Sequence, residues 1–153
     1  MFTQYNFQYC QKIIVFSQDE RKILLCKRKG EADFDGIFSF IGGKMETSDK
    51  SILEGLKREK DEEVGSDFKI KIYPDFSTNV LFRKQDGNFM ILPHYFAIYE
   101  SGKIILNEEY SEFAWVNLDR IENFEPKIPG ISDILRKFEL VKNAIKKTKF
   151  AIV

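Results

Sequence analysis

The sequence is poor in the residues that build disulfides, zinc sites and histidine-based catalysis. Its 153 residues include two cysteines and one histidine. Cys10 and Cys26 lie in or beside apolar runs without another cysteine or a histidine at ligand spacing, so we predict buried, reduced thiols. His94 stands in a β-rich run, where a hydrogen-bonded structural role is the more common one. A nucleophilic triad therefore has no support.

Net charge and long apolar runs are missing as well. The 24 Lys and Arg residues balance 24 Asp and Glu residues, which removes the broad positive field that holds long nucleic acid. The longest apolar stretches, such as residues 89–92, are far shorter than the ~20 residues that cross a bilayer, and no basic start with an apolar run resembles a secretion signal. We expect no membrane partner, no long nucleic acid partner and a cytoplasmic location.

What remains is the composition of an ordinary folded domain. The chain length and the 43% apolar content predict a single domain over residues 1–153, and we consider a homodimer as its assembly. Runs rich in β-branched and aromatic residues predict strands near residues 11–16, 22–27, 37–41, 69–73, 76–83, 89–99 and 113–116. Short polar or turn-forming segments predict that the first two runs pair, and that 76–83 pairs with 89–99.

Two segments have the period of a helix. Ser51 and Glu54 have the spacing of a capping box, which predicts a helix from Ser51 to Val64 that Gly65 ends. Apolar residues at helical spacing between 131 and 145 predict a C-terminal helix.

The first helix contains four acids within five positions. At ~100° per residue, Glu59, Glu62 and Glu63 share one arc, beside an apolar arc. Glu59 and Glu63 are a like-charged pair one turn apart, which disfavours the helix unless a cation lies between them. Three carboxylates on a rigid helix suit Mg²⁺ or Mn²⁺. A solvated acidic surface is the alternative interpretation of these acids alone.

Together with the Gly-Gly turn upstream, the acids resemble the box of the Nudix hydrolase (MutT-like) family. The matching residues are Gly43, Arg58, Glu59, Glu62, Glu63 and Gly65, and the flanking runs 24–28 and 112–115 resemble strands of the same family. The resemblance covers roughly residues 10–140. It implies an α/β fold: a Nudix α/β/α sandwich with a mixed β-sheet, a catalytic loop-helix-loop and a C-terminal helix.

The resemblance also implies an activity. The expected reaction is Mg²⁺- or Mn²⁺-dependent hydrolysis of the pyrophosphate bond of a nucleoside diphosphate linked to another group, by a metal-activated water. A small-molecule nucleotide is the implied partner, with a nucleoside triphosphate or a modified nucleotide as the first expectation. A nucleotide-sugar or ADP-ribose pyrophosphatase is one alternative, and a non-catalytic Nudix-fold binding or regulatory module is another.

Roles for individual residues follow from the same resemblance. Glu59, Glu62, Glu63 and the Gly43 carbonyl are the implied metal ligands, and the implied catalytic residues are Arg58, which orients Glu59, together with Glu59 and Glu62. Basic residues beside the box are assigned to substrate binding, namely Arg28 and Lys44. Two later acids are candidates for a distal base or ligand, namely Glu109 and Glu112.

The sequence departs from the family pattern at two points that matter here. One extra residue separates Gly43 from Arg58, so counting from either end puts Asp49 or Lys50 at the usual loop glutamate, and we expect Asp49 or Glu46 to take its role. Lys60 stands where the family has an apolar residue. Its aliphatic stem is expected to pack against the core while its ammonium reaches solvent.

Overall fold

One mixed sheet of eight strands organises the part of the chain that the computed structural model describes, residues 7–153. The strands are β1 (Phe7–Tyr9), β2 (Lys12–Phe16), β3 (Lys22–Arg28), β4 (Phe38–Ser39), β5 (Lys69–Arg83), β6 (Phe89–Ser101), β7 (Tyr110–Asn117) and β8 (Ala151–Ile152). The helices are α1 (Ile52–Val64), α2 (Ile131–Ile145) and a short 3₁₀ helix (Leu118–Asn123). Both long helices lie where the sequence predicts them.

Side-chain alternation along the strands gives the sheet two apolar faces. In β2, Ile13 and Val15 join one core cluster, while Ile14 and Phe16 join the other. Helix α1 packs on the first face through residues that include Leu56 and Val64, and helix α2 packs on the second face through Ile134 and Phe138. The predicted α/β/α sandwich with a mixed sheet is confirmed.

Strand β2 has a different main partner from the predicted one. It runs parallel to β6 over five residue pairs, from Lys12 opposite His94 to Phe16 opposite Ile98. Its pairing with β3 is limited to Phe16 opposite Ile23, and the main antiparallel partner of β3 is β7. All five residues of β2 are buried, as expected for a strand in the middle of a sheet.

Strand β5 is longer than predicted. The two runs 69–73 and 76–83 form one strand, interrupted by a shift in register between Ile72 and Ser77. The shift contains Pro74, which has no N–H to give to the ladder. The predicted pairing of 76–83 with β6 is confirmed.

Two smaller predictions concern the cysteines and the bilayer. Cys10 and Cys26 are buried free thiols, as predicted. Among residues 7–153, no helix has the length and apolar character needed to cross a membrane.

Candidate active site

Helix α1 begins and ends where its capping residues require. The Ser51 hydroxyl accepts a hydrogen bond from the N–H of Glu54 at 3.1 Å, and the Glu54 carboxylate accepts from the N–H of Lys50 at 2.7 Å. Gly65 ends the helix with φ at +92°, and its N–H donates to the Asp61 carbonyl. The extra residue therefore lies in the loop before Ser51, and the helical register of the acids is intact.

Glu59 lies against the glycine turn that precedes the helix. Glu59 is 8% exposed, and a Cβ atom added to Gly43 would come within 2.2 Å of its carboxylate oxygen Oε2. A residue other than glycine at this position would therefore displace the carboxylate. Burial raises the pKa of Glu59, although the hydrogen bond from Arg58 opposes the change.

Glu63 is the most deeply buried acid of the site, at 3% exposed. Its Oε2 atom accepts hydrogen bonds from the N–H of Gly42 at 2.7 Å and from the hydroxyl of Tyr110 at 3.0 Å. Burial raises the pKa of Glu63 to about 8, and the nearby charges of Glu109 and Glu59 act in the same direction. The Lys12 charge and the Gly42 N–H lower it but do not offset the loss of water.

Arg58 joins the loop to the helix. Its guanidinium donates to both carboxylate oxygens of Asp49, at 2.8 and 2.9 Å, and to Oε1 of Glu59 at 2.8 Å. The hydrogen bond from Arg58 lowers the pKa of Asp49 to about 2. Glu46 lies 3.5 Å from Arg58 and is exposed, whereas Lys50 contributes only its backbone N–H to Glu54. Of the three loop residues that the sequence leaves open, Asp49 makes the closest contact with the box arginine.

The third acid of the helix face, Glu62, is 54% exposed and turns toward Arg58, 3.4 Å away. Within residues 7–153, no three His, Cys, Asp or Glu side chains converge closely enough to hold a metal ion. The exposed Glu62 side chain is free of packing contacts that would fix it, unlike the buried Glu59 and Glu63. The donor set fits Mg²⁺ or Mn²⁺, because it consists of carboxylate oxygens, two of them buried where a cation would offset their desolvation.

The two later acids have different surroundings. The charge of Glu109 contributes to the raised pKa values of both Glu59 and Glu63. Glu112 lies opposite Lys27 in the β3–β7 ladder and forms an ion pair with it at 3.3 Å. Glu112 is therefore occupied by an ion pair, whereas the charge of Glu109 reaches the acids of the helix.

The two basic residues assigned to substrate binding differ in exposure and in their partners. Arg28 ends β3 and pairs with Glu31 at 3.2 Å, while its buried Nε atom has no hydrogen-bond partner among the described residues. Lys44 is exposed, and its backbone carbonyl accepts a hydrogen bond from Arg58. Arg28 thus has donor capacity left for an anion.

The prediction that the Lys60 ammonium reaches solvent is wrong. The whole side chain is buried, and its Nζ donates to the Phe68 carbonyl at 2.7 Å, with a longer contact of 3.4 Å to the Gly65 carbonyl. Asp61 pairs with the same ammonium. The chain after the helix folds over Lys60, which the helical wheel alone does not reveal.

Two residues of this site give no signal in the sequence. Tyr110 reaches Glu63 because β7 pairs with β3, and Lys12, inside an apolar run, donates to the Gly42 carbonyl at 3.1 Å. His94 has the surroundings of a structural residue. It is buried, with Nδ1 2.8 Å from the Leu92 carbonyl and its ring edge-on to Phe40.

Comparisons with known proteins show the family and the fold of the chain. The family model of the NUDIX domain matches residues 10–138. The nucleoside triphosphatase NudI of Klebsiella pneumoniae strain 342 is 28% identical over 123 residues, which cover 71% of this chain and 82% of the relative. The MutT protein of Methanosarcina mazei Go1 superposes with a TM-score of 0.75 at 21% identity, covering 92% of this chain and 99% of that one.

A second solved structure shares the fold. The NUDIX domain of Shewanella oneidensis NrtR, complexed with ADP ribose, has a TM-score of 0.66 at 18% identity and covers 93% of this chain and 90% of its own. Because the family model spans most of the chain, the assignment does not depend on these distant structures. The chain therefore belongs to the Nudix family of pyrophosphohydrolases.

Proposed function

We propose that the protein hydrolyses the pyrophosphate bond of a nucleoside triphosphate or a modified nucleotide with Mg²⁺ or Mn²⁺ as cofactor. The observation that carries the proposal is the pair of buried acids, Glu59 and Glu63, packed against the Gly42–Gly43 turn beside Arg58. Two buried carboxylates one helical turn apart are costly unless positive charge lies between them. That cost argues for a binding site rather than a solvated acidic surface.

The residues that would hold the metal are Glu59, Glu62, Glu63 and the Gly43 carbonyl. This carbonyl accepts one hydrogen bond, from the N–H of Gln11 at 2.9 Å, and keeps a second lone pair. A divalent cation held there would supply positive charge against the phosphate oxygens and would lower the pKa of a bound water. Arg58 keeps Glu59 in position, because the same guanidinium is anchored on Asp49.

Glu109 is the residue we propose as general base. It accepts the proton that a water loses as its oxygen bonds to phosphorus, while the bond from phosphorus to the bridging oxygen breaks. Two observations support this choice. The charge of Glu109 affects Glu59 and Glu63, whereas Glu112, the other candidate, forms an ion pair with Lys27.

Substrate phosphates would meet Arg28 and Lys44. The unpaired Nε of Arg28 can donate to a phosphate oxygen, and the exposed Lys44 adds a positive charge beside the glycine turn. The nucleoside triphosphatase named among the relatives supports a triphosphate substrate. The two free thiols support the proposed cytoplasmic location.

A nucleotide panel tests this proposal. Purified protein is incubated with each nucleoside triphosphate, ADP-ribose, a nucleotide sugar and a dinucleoside polyphosphate, with Mg²⁺, with Mn²⁺ and with chelator. We expect metal-dependent conversion of at least one triphosphate to the monophosphate and pyrophosphate, faster than any other class. Preferential cleavage of ADP-ribose or a nucleotide sugar would overturn the substrate assignment, and turnover in chelator would overturn the metal requirement.

The same assay tests the base. Glu109→Gln should lower kcat by about 10²–10⁴-fold, the usual contribution of general base catalysis. The neighbouring Glu108→Gln is the matched control and should keep the parent rate. Equal rates for both variants would remove Glu109 from the mechanism.

A further inference from the structure

One oxygen of Glu63 is held by two donors. The N–H of Gly42 and the hydroxyl of Tyr110 both reach Oε2, at 2.7 and 3.0 Å, whereas no donor from the described residues contacts Oε1. Glu63 and Tyr110 are 3% and 5% exposed, so water does not readily replace either bond. A carboxylate fixed in this way presents only Oε1 to a ligand.

Tyr110 is also joined to the end of the helix through the chain that precedes it. The N–H of Ile105 donates to the Val64 carbonyl at 2.9 Å, and the N–H of Asn107 donates to the Glu63 carbonyl at 3.1 Å. These carbonyls lie in the last turn of α1, where carbonyl groups have no partner within the helix. The segment 105–110 thus caps the helix and then supplies the tyrosine that holds Glu63.

Glu109 stands directly before Tyr110 in this segment. Its backbone is fixed on both sides, because its N–H donates to the side chain of Asn107 at 3.0 Å and its carbonyl accepts from the N–H of Lys29 at 2.8 Å. The Tyr110 hydroxyl therefore connects the helix acid with the turn that carries the later acid. The two backbone hydrogen bonds position the main chain, but only the hydroxyl acts on the carboxylate itself.

We propose that Tyr110 is a positioning residue for the metal site: its hydroxyl selects Oε1 of Glu63 as the metal-binding oxygen and keeps this carboxylate aligned with the Glu109 turn. The proposal rests on the proposed function, since it takes Glu63 as a metal ligand. Residues that hold a metal ligand by a hydrogen bond often matter nearly as much as the ligand, and their loss weakens metal binding by about 10–100-fold.

The test is Mn²⁺ binding to nucleotide-free protein. Binding is measured by isothermal titration calorimetry or from the electron paramagnetic resonance signal of free Mn²⁺. Tyr110→Phe removes only the hydroxyl and keeps the ring in the core on the α1 side of the sheet. We expect its Mn²⁺ dissociation constant to rise about 10–100-fold. Tyr99→Phe is the control, because Tyr99 packs against the same core and its hydroxyl donates to the Gly102 carbonyl.

A second readout separates positioning from general stability. All variants are measured well below their melting temperatures. A higher Mn²⁺ concentration should restore much of the kcat of Tyr110→Phe, and its KM for nucleotide should stay at the parent value. A parent-like Mn²⁺ dissociation constant for Tyr110→Phe, with binding lost in Glu63→Gln, would overturn the positioning role alone. Parent-like binding in Glu63→Gln would overturn the proposed metal site, and the positioning role with it.

Discussion

Among single residues, Lys60 is a buried charge that the end of α1 depends on. Its ammonium donates to the carbonyls of Phe68 and Gly65, beyond the last turn of the helix. Burial lowers the pKa of Lys60, and the neighbouring Asp61 opposes the change. From the sequence alone, replacing this lysine by leucine looks stabilising. The carbonyl contacts reverse that expectation, because an apolar side chain leaves a buried acceptor without a donor.

Lys60→Met should therefore lower the free energy of unfolding by about 1–3 kcal/mol, the cost of an unsatisfied buried acceptor. Urea unfolding curves of parent and variant measure the difference. Lys57→Met is the control, since Lys57 is exposed and pairs with the same Asp61 at 2.7 Å, and we expect a change within about 0.5 kcal/mol. A Lys60→Met protein as stable as the parent would contradict the assigned role of the ammonium.

His94 gives the fold a dependence on pH. Burial lowers its pKa from 6.5 to about 4, and the charges of Lys12 and Lys137 act in the same direction, while backbone hydrogen bonds to Leu92 and Thr78 oppose them. Below pH 6.5 the unfolded chain binds a proton at His94 that the folded protein does not bind until about pH 4. Stability is therefore lost as the pH falls through this window.

His94→Gln should remove this contribution. Between pH 7 and pH 5, the parent should lose up to about 2 kcal/mol more unfolding free energy than the variant. Denaturant unfolding of both proteins at the two pH values measures the difference. If both proteins lose the same unfolding free energy, His94 binds its proton as readily in the folded state as in the unfolded state, which would contradict the prediction.

At the scale of elements, α1 is the part of the site that the sequence predicts best. A capping serine, a terminal glycine and a helical period are local signals, and together they place three acids on one arc without any knowledge of the fold. The loop before it is different. Spacing alone leaves Glu46, Asp49 and Lys50 open, and the choice depends on which side chain Arg58 reaches in three dimensions.

Strand partners are harder to predict for a physical reason. Strand β2 has the same alternation of side chains whether it pairs with β3 or with β6, so its sequence does not distinguish the two. Tyr110 is missed for the same reason, since its contact with Glu63 depends on the pairing of β7 with β3. Long-range pairing is thus what the sequence leaves open.

Ser51 tests how strongly the site depends on the start of α1. Ser51→Ala deletes the bond to the N–H of Glu54 and should cost about 0.5–2 kcal/mol of unfolding free energy. Because the first turn sets how the helix meets the glycine loop, the variant should also need more metal for half-maximal turnover. Thermal melts and metal titrations measure both effects.

Ser48→Ala is the matched control for this substitution. Ser48 is exposed in the preceding loop, where its hydroxyl contacts Glu46, so the variant should behave like the parent in both assays. If Ser51→Ala changes neither the free energy of unfolding nor the metal requirement, the helix does not depend on this cap.

On the scale of the whole molecule, the site draws on three parts of the sandwich. Helix α1 supplies the acids, the glycine turn after β4 supplies the backbone against which they pack, and the start of β7 supplies Tyr110 and the turn with Glu109. The large core on both faces of the sheet holds these parts together. Substitution of an exposed acid should therefore change chemistry without unfolding the protein.

Glu62→Gln tests the central claim most directly, because Glu62 is exposed and contributes little to packing. The measurement is metal-dependent turnover of the best nucleotide by the parent, Glu62→Gln and the control Glu108→Gln, with a thermal melt of each. The metal-site account predicts that Glu62→Gln melts like the parent yet loses turnover at every metal concentration, while Glu108→Gln keeps it. Parent-like turnover by Glu62→Gln would contradict the assignment of this helix face as the catalytic metal site.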